Sequence, residues 1–186
     1  MKARTRFHNH VVAALLPLLL VTAAAAQDAQ KLDDLYGRLK DADPGAASRI
    51  ESEIFIESAK SGSAAIDLLL QRGSDALQSG HTEAAIDHLT AAVDHAPGFT
   101  EARATRAVAY YGAGEVGPAM ADLAQVLKDE PRHFVAWSVL GAILEETEMP
   151  GRALEAYRTA AALHPHIPEV NDAIARLEKK LEGQEL

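Results

Sequence analysis

From residue 66 to residue 167, apolar positions recur at helical spacing, and they recur in blocks. In the clearest block Trp137, Leu140, Gly141 and Leu144 follow one another at steps of 3, 1 and 3, which places them on one helix face. A second apolar stripe follows, made by Ala153, Leu154, Tyr157, Ala160 and Ala161, and Pro165 closes the block. The preceding block reads Arg103, Arg106, Ala107 and Tyr110, then Gly114, then Ala119, Met120, Leu123, Val126 and Leu127, then Pro131. The first reads Leu69, Arg72, Gly73 and Ala76, then Gly80, then Ala85, Ile86, Leu89, Ala92 and Val93, then Pro97. Each block predicts two antiparallel helices joined by a short turn. Pro97, Pro131 and Pro165 stand 34 residues apart, so the units are 66–99, 100–133 and 134–167. An interval of this length signals stacked helical hairpins.

The choice of residues within the blocks has a physical reason. Gly73, Ala107 and Gly141, with Ala85, Ala119 and Ala153, are small where two helices of a hairpin would cross most closely. A larger side chain there would push the pair apart at a cost of roughly 1–3 kcal/mol. Leu89, Leu123 and Tyr157 are the large residues that fill the space left open. The closing prolines lack the N–H a helix needs and restrict the residue before them. Pro118 and Pro150 fall at the start of second helices, where proline is tolerated.

The flanks continue the helical pattern. Val170, Ile174, Leu177 and Leu181 form a stripe at steps of 4, 3 and 4, which predicts a C-terminal capping helix and tail over 168–186, with Gly183 as its stop. Upstream, Leu32, Leu35 and Leu39 predict one helix and Ala47, Ile50 and Ile54 a second, turned by Asp41-Ala42-Asp43-Pro44-Gly45. This hairpin, 27–62, lacks the markers of the repeat and reads as a degenerate unit or N-terminal cap.

The three blocks resemble the tetratricopeptide-repeat family. Its Trp-x-x-Leu-Gly-x-x-Tyr, Ala-x-x-x-Phe, Ala and Pro pattern is met best by Trp137, Leu140, Gly141, Leu144, Ala153, Tyr157, Ala160 and Pro165. Arg72, Arg103 and Arg106 depart from it, as does Glu148 where a turn glycine belongs, and these departures are expected to loosen individual hairpins. The resemblance implies an all-α, right-handed superhelix of antiparallel hairpins, with repeats over 63–167 and an inner groove. The groove would be lined by positions 2, 5, 9, 12 and 13 of each first helix. In unit one these are Asp67, Leu70, Ser74, Leu77 and Gln78, and in unit two Glu101, Ala104, Val108, Tyr111 and Gly112. Unit three supplies Val135, Ser138, Ala142, Glu145 and Glu146. The middle of such a face is small and apolar around Tyr111, with acids at its edges. It suits an extended or helical peptide with apolar anchors and a basic flank. Some relatives hold a C-terminal carboxylate with Lys and Asn from this face. Here the matching positions carry Leu70, Ala104, Ser138, Ser74, Val108 and Ala142, so a carboxylate clamp is not expected.

The N-terminal segment changes the charge picture. Lys2, Arg4 and Arg6, the apolar run Val11 to Val21 and the alanines before Gln27 read as a secretory signal peptide over 1–26, cleaved after Ala26 or a neighbouring alanine. The apolar run is shorter than the roughly 20 residues of a spanning helix and contains Pro17. The compartment that follows is the periplasm of a Gram-negative bacterium, with outright secretion as the alternative. Without its three signal bases the chain holds 15 Lys+Arg against 27 Asp+Glu, a net charge of −12. That balance argues against nucleic acid and anionic membrane surfaces as partners. With no cysteine, the chain has neither a disulfide nor a lipid-modified cysteine.

Catalytic constellations are missing. There is no Gly-x-Ser-x-Gly, no His-Glu-x-x-His and no glycine-rich phosphate loop. His81, His88 and His95 recur every seven residues, and two helical turns place successive members about 10 Å apart, too far for one ion. These histidines, with His164 and His166, are read as solvated, and no metal or cofactor is expected. The sequence thus predicts a non-enzymatic binding module or assembly scaffold whose partner is a protein or peptide. The rival readings are a small hydrolase or metal-dependent enzyme, and a self-associating array.

Overall fold

The computed structural model describes residues 29–183, so the segment read as a signal peptide lies outside the described residues. All regular structure among them is helical. Helix α1 covers 29–40, followed by α2 (Pro44–Ser58), α3 (Ala64–Gln78), α4 (Thr82–His95) and α5 (Thr100–Gly112). Then come α6 (Val116–Asp129), α7 (Phe134–Glu146), α8 (Pro150–Leu163) and α9 (Pro168–Glu182). The pairs α3–α4, α5–α6 and α7–α8 are the three repeat hairpins, and α9 packs on α8. Helices α3, α5 and α7 also touch in succession, which makes them the inner layer of the stack.

One turn geometry joins each pair. Gly80, Gly114 and Glu148 occupy the left-handed region at φ 75°, 76° and 59°. In each case the next N–H reaches back five residues: His81 to Ala76 O (2.8 Å), Glu115 to Tyr110 O (2.8 Å) and Met149 to Leu144 O (2.9 Å). This satisfies carbonyls that the ending helix would otherwise leave unpaired. Glu148 keeps the same turn as the glycines, at a strain of about 1 kcal/mol for a residue with a Cβ. Its departure from the pattern is absorbed locally.

The small-to-large fit is equally direct. A Cβ on Gly73 would lie 2.5 Å from Leu89 Cγ, and one on Gly141 would lie 2.7 Å from the ring of Tyr157. In the middle unit Ala107 and Leu123 make the corresponding pair, buried with Ala104, Ala119 and Val126.

Arg103 and Arg106, expected to loosen their hairpin, are built into it. Buried Asp122 on α6 accepts from Arg106 Nε (2.7 Å) and Nη2 (2.9 Å) and from Arg103 Nη1 (3.4 Å). Arg103 Nη2 also donates to Pro97 O at 2.8 Å. One repeat later Trp137 Nε1 donates to Pro131 O at 2.8 Å, and after another interval Asn171 Nδ2 donates to Pro165 O at 2.9 Å. Three chemically unrelated side chains therefore make one bond, tying the fourth residue of α5, α7 or α9 to the carbonyl of the preceding proline. Arg103 substitutes for the aromatic residue in function.

The N-terminal hairpin sits elsewhere than an end cap would. Asp43 caps α2 by accepting from Ala46 N at 2.9 Å, with Pro44 in the first turn. The apolar face of the hairpin, Leu35, Leu39, Ala47, Ile50 and Ile54, closes over Phe134 of the third unit. Val135, Leu163 and Ile167 pack against the same cluster. Phe134 meets Phe55 edge-on at 6.2 Å and the His164 ring at 5.0 Å. Arg132 pairs with Asp33 at 2.7 Å and lies 4.6 Å over the Tyr36 ring. His166 Nε2 donates to Ala42 O at 2.8 Å. Helix α2 thus runs alongside the array, with Ala42 just before it at the third unit and Phe55 and Ala59 at its other end near the first.

This corrects the reading of the histidines as solvated at two positions. His164 is 3% exposed, and its Nδ1 accepts from His166 N at 3.3 Å. Its proton then sits on Nε2, which faces Glu51 Oε2 at 3.5 Å. His166 is half-buried in the same seam. Gly183 ends α9 in an ordinary right-handed conformation, φ −73°, so its freedom as a glycine is unused.

Candidate functional site

The inner face carries a concave pocket of about 500 Å³ between α3 and α5. Leu70, Ser74 and Leu77 line it from α3, with Asp67, Gln71 and Gln78, and Glu101 and Thr105 line it from α5. Phe55 of α2 and Ala59 just after it complete the wall. The five α3 residues singled out from the sequence for the first unit, Asp67, Leu70, Ser74, Leu77 and Gln78, therefore meet in one cavity.

The remaining candidates are distributed differently. Leu70 is 5% exposed and Ala104 3%, so these two of the expected lining residues present almost no surface to a partner. Ala104 belongs to the core of the second unit, next to Ala107 and Leu123. Val108 and Tyr111 are half-buried further along α5. Val135 lies against the α1–α2 hairpin. The Ser138 hydroxyl turns back to Phe134 O at 2.8 Å, and Ala142 packs against the core shared by α7, α8 and α9.

At the far end of the inner face the polar groups pair with one another. Tyr111 Oη donates to Glu146 Oε1 at 2.6 Å, linking α5 to α7. Glu145 receives Arg176 of α9 through Nε at 3.1 Å and Nη2 at 2.9 Å, and Tyr157 Oη donates to it at 3.4 Å. Burial, reinforced by the bond to Glu146, pushes the Tyr111 phenol up to about 12. Burial followed by the charge of Glu145 does the same for Tyr157, also to about 12. Both phenols are neutral donors throughout the working pH range. Glu145, expected at the groove edge as an acid, has its charge met by Arg176.

Acid character persists at the pocket. Asp67 Oδ1 accepts from Ser61 N (2.7 Å) and Oγ (2.5 Å), which orients its carboxylate. The Glu101 side chain is 11% exposed and lies 3.5 Å from His133 Nε2. His133 Nδ1 accepts from Ala136 N, so the neutral ring presents an N–H to Glu101. Among the described residues, no group of three or more His, Cys, Asp or Glu side chains is arranged to hold a metal ion.

Phe55 and Ala59 were not among the sequence candidates. A signal for Phe55 existed. Ala47, Ile50 and Ile54 define the buried stripe of α2, and Phe55 and Ile56 fall off it, at 39% and 63% exposure.

An inner layer of short helices, an outer layer, and a pocket opening on the inner side define a helical-repeat array. The chain belongs to the tetratricopeptide-repeat family. A family model described as tetratricopeptide repeat matches residues 76–143. A tetratricopeptide-repeat-containing protein of Rhizobium etli is 34% identical over 161 residues, spanning 86% of this chain and 79% of the relative. Among solved structures, the Sgt2 repeat domain of Aspergillus fumigatus superposes with a TM-score of 0.61 at 24% identity, covering 66% of this chain and 83% of that one. The first repeat domain of Spaghetti, solved with an HSP90 peptide, gives 0.60 at 21% identity, covering 63% and 93%. At these identities the two structures speak for the fold alone.

Proposed function

We propose that the protein is a non-enzymatic interaction module that docks a segment of a partner protein on its inner face. The observation that carries this is the pocket between α3 and α5, where Leu77 and the Phe55 ring border a cavity of about 500 Å³. Concave apolar sites with a few polar groups are what peptide side chains enter. The Spaghetti domain, of the same fold, is described as bound to the HSP90 peptide SRMEEVD, which supports use of the fold for peptide capture. That peptide ends in acids. The present pocket has carboxylates from Asp67 and Glu101 and no lysine or arginine in its lining, so an acidic tail is not its ligand.

The basic head and short apolar run at residues 1–26 support export, with action in the periplasm. The partner would then be an exported protein or the exposed part of an envelope protein. Crosslinking and pull-down from the native compartment, with wild type beside Leu77→Asp and Tyr111→Ala, tests the reading. Partner capture should fall at least tenfold for Leu77→Asp and less for Tyr111→Ala, whose ring is farther along α5, with helicity unchanged in both. Undiminished capture by both folded variants would rule out the inner face.

A further inference from the structure

Resting on the docking reading, we infer that the pocket takes an apolar side chain from a segment that carries a lysine or arginine beside it. Three features of the cavity select this chemistry. Its floor is apolar: Leu70 is buried beneath it, Leu77 is half-buried, and the Phe55 ring stands exposed at the rim. An aliphatic or aromatic side chain seated there would cover surface that α3 and α2 leave open, and that burial favours binding.

The second feature is the charge at the two flanks of the floor. Asp67 is fixed in orientation by two hydrogen bonds from Ser61, so its charge holds one position. Glu101 is a carboxylate largely removed from water whose neighbour His133 offers a neutral N–H. A carboxylate in such surroundings gains most from a cation, because it has already lost much of its hydration. A ligand acid would meet two like charges in a water-poor cleft, which is strongly unfavourable.

The third feature is the absence of any compensating base in the lining, where Gln71, Gln78, Ser74 and Thr105 are the other polar groups. Amides and hydroxyls can bond a peptide backbone without charge preference. Discrimination by sign therefore falls to Asp67 and Glu101. The contrast with the far end of the inner face is informative, since there Arg176 already meets Glu145. Glu146 there is bonded to the neutral Tyr111 hydroxyl, and the α3–α5 end differs from it in joining two carboxylates to an apolar cavity.

Selection of a random displayed peptide library against the full protein tests this, in parallel with a Gln71→Lys/Gln78→Lys variant and with Leu77→Asp. Gln71 and Gln78 are exposed on α3, so the double variant keeps the fold while its two added positive charges offset those of Asp67 and Glu101 at the rim. Peptides enriched on the wild type should place a large apolar residue next to Lys or Arg. A synthetic copy of the leading peptide should bind the double variant and Glu101→Gln about tenfold or more weakly, and should weaken as salt rises. If enriched peptides are acidic or uncharged yet are still lost in Leu77→Asp, docking on this face stands and the inferred ligand chemistry falls. If enrichment is indifferent to Leu77→Asp, the docking reading itself fails.

Discussion

Asp122→Ala is expected to destabilise the protein by about 3 kcal/mol, at the lower end of what breaking a buried ion pair costs. Asp122 is 5% exposed and serves two guanidiniums at once, with Arg106 bound through two nitrogens at 2.7 and 2.9 Å. The Arg106 and Arg103 side chains are themselves only 12% and 17% exposed. Alanine removes the acceptor and leaves both cations in the seam between α5 and α6. Arg103 keeps Pro97 O and Arg106 keeps Thr90 Oγ1, which limits the loss. For a domain of this size the change corresponds to a fall in Tm of roughly 6–12 °C, readable by thermal circular dichroism. Replacing all three residues together by apolar ones (Asp122→Leu, Arg106→Met, Arg103→Leu) should recover much of that stability, since the loss arises from unpaired charge. A loss under about 1 kcal/mol for the single change would show the triad to be solvated and dispensable.

Phe134→Ala should have an effect of similar size but a different distribution. The ring is 2% exposed and fills the seam between the α1–α2 hairpin and the third unit, touching Phe55 and His164. Removing a buried phenylalanine costs about 3–5 kcal/mol, through lost transfer energy and the cavity left behind. Because the repeats have their own cores, the penalty should fall on the hairpin. Hydrogen exchange should speed up in α1 and α2 at least tenfold, while α5, α6 and α8 stay protected. Val135, Leu163 and Ile167 still pack on the hairpin, but the cluster loses the Phe134 ring, and the polar ties from Arg132 to Asp33 and from His166 to the Ala42 carbonyl are partly exposed and add little. Uniform acceleration across α3–α9 would mean that the hairpin is part of one cooperative core.

The repeats were legible because their determinants are local. Small residues at one helical position and large ones at the partner position recur with the 34-residue interval, and the left-handed turn residues 80, 114 and 148 recur with them. Glycine at two of these positions signals the turn, and Glu148 shows that the turn survives without it. What escaped was long-range. Arg103 and Arg106 looked like defects because their counterion, Asp122, lies 19 and 16 residues away on another helix, outside any neighbour rule. The hairpin has an apolar face that demands a cover, but nothing in its pattern specifies which. His164 and Glu51 are 113 residues apart, and His166 and Ala42 are 124 apart. For the site, the repeat register named the inner helix face and gave no measure of depth. Leu70 and Ala104 point inward by position, yet the neighbouring helices bury them. Phe55 enters the pocket wall from outside the repeats, so no repeat-based reading reaches it.

The central claim is that a partner segment lies on the inner face at the α3–α5 pocket. A photo-crosslinking residue placed at Gln78, exposed beside the pocket, and separately at Glu155, exposed on the outer helix α8, interrogates it in the native compartment. The account predicts a discrete partner adduct from position 78 and none from position 155. An adduct from 155 alone would place recognition on the outer layer and contradict it.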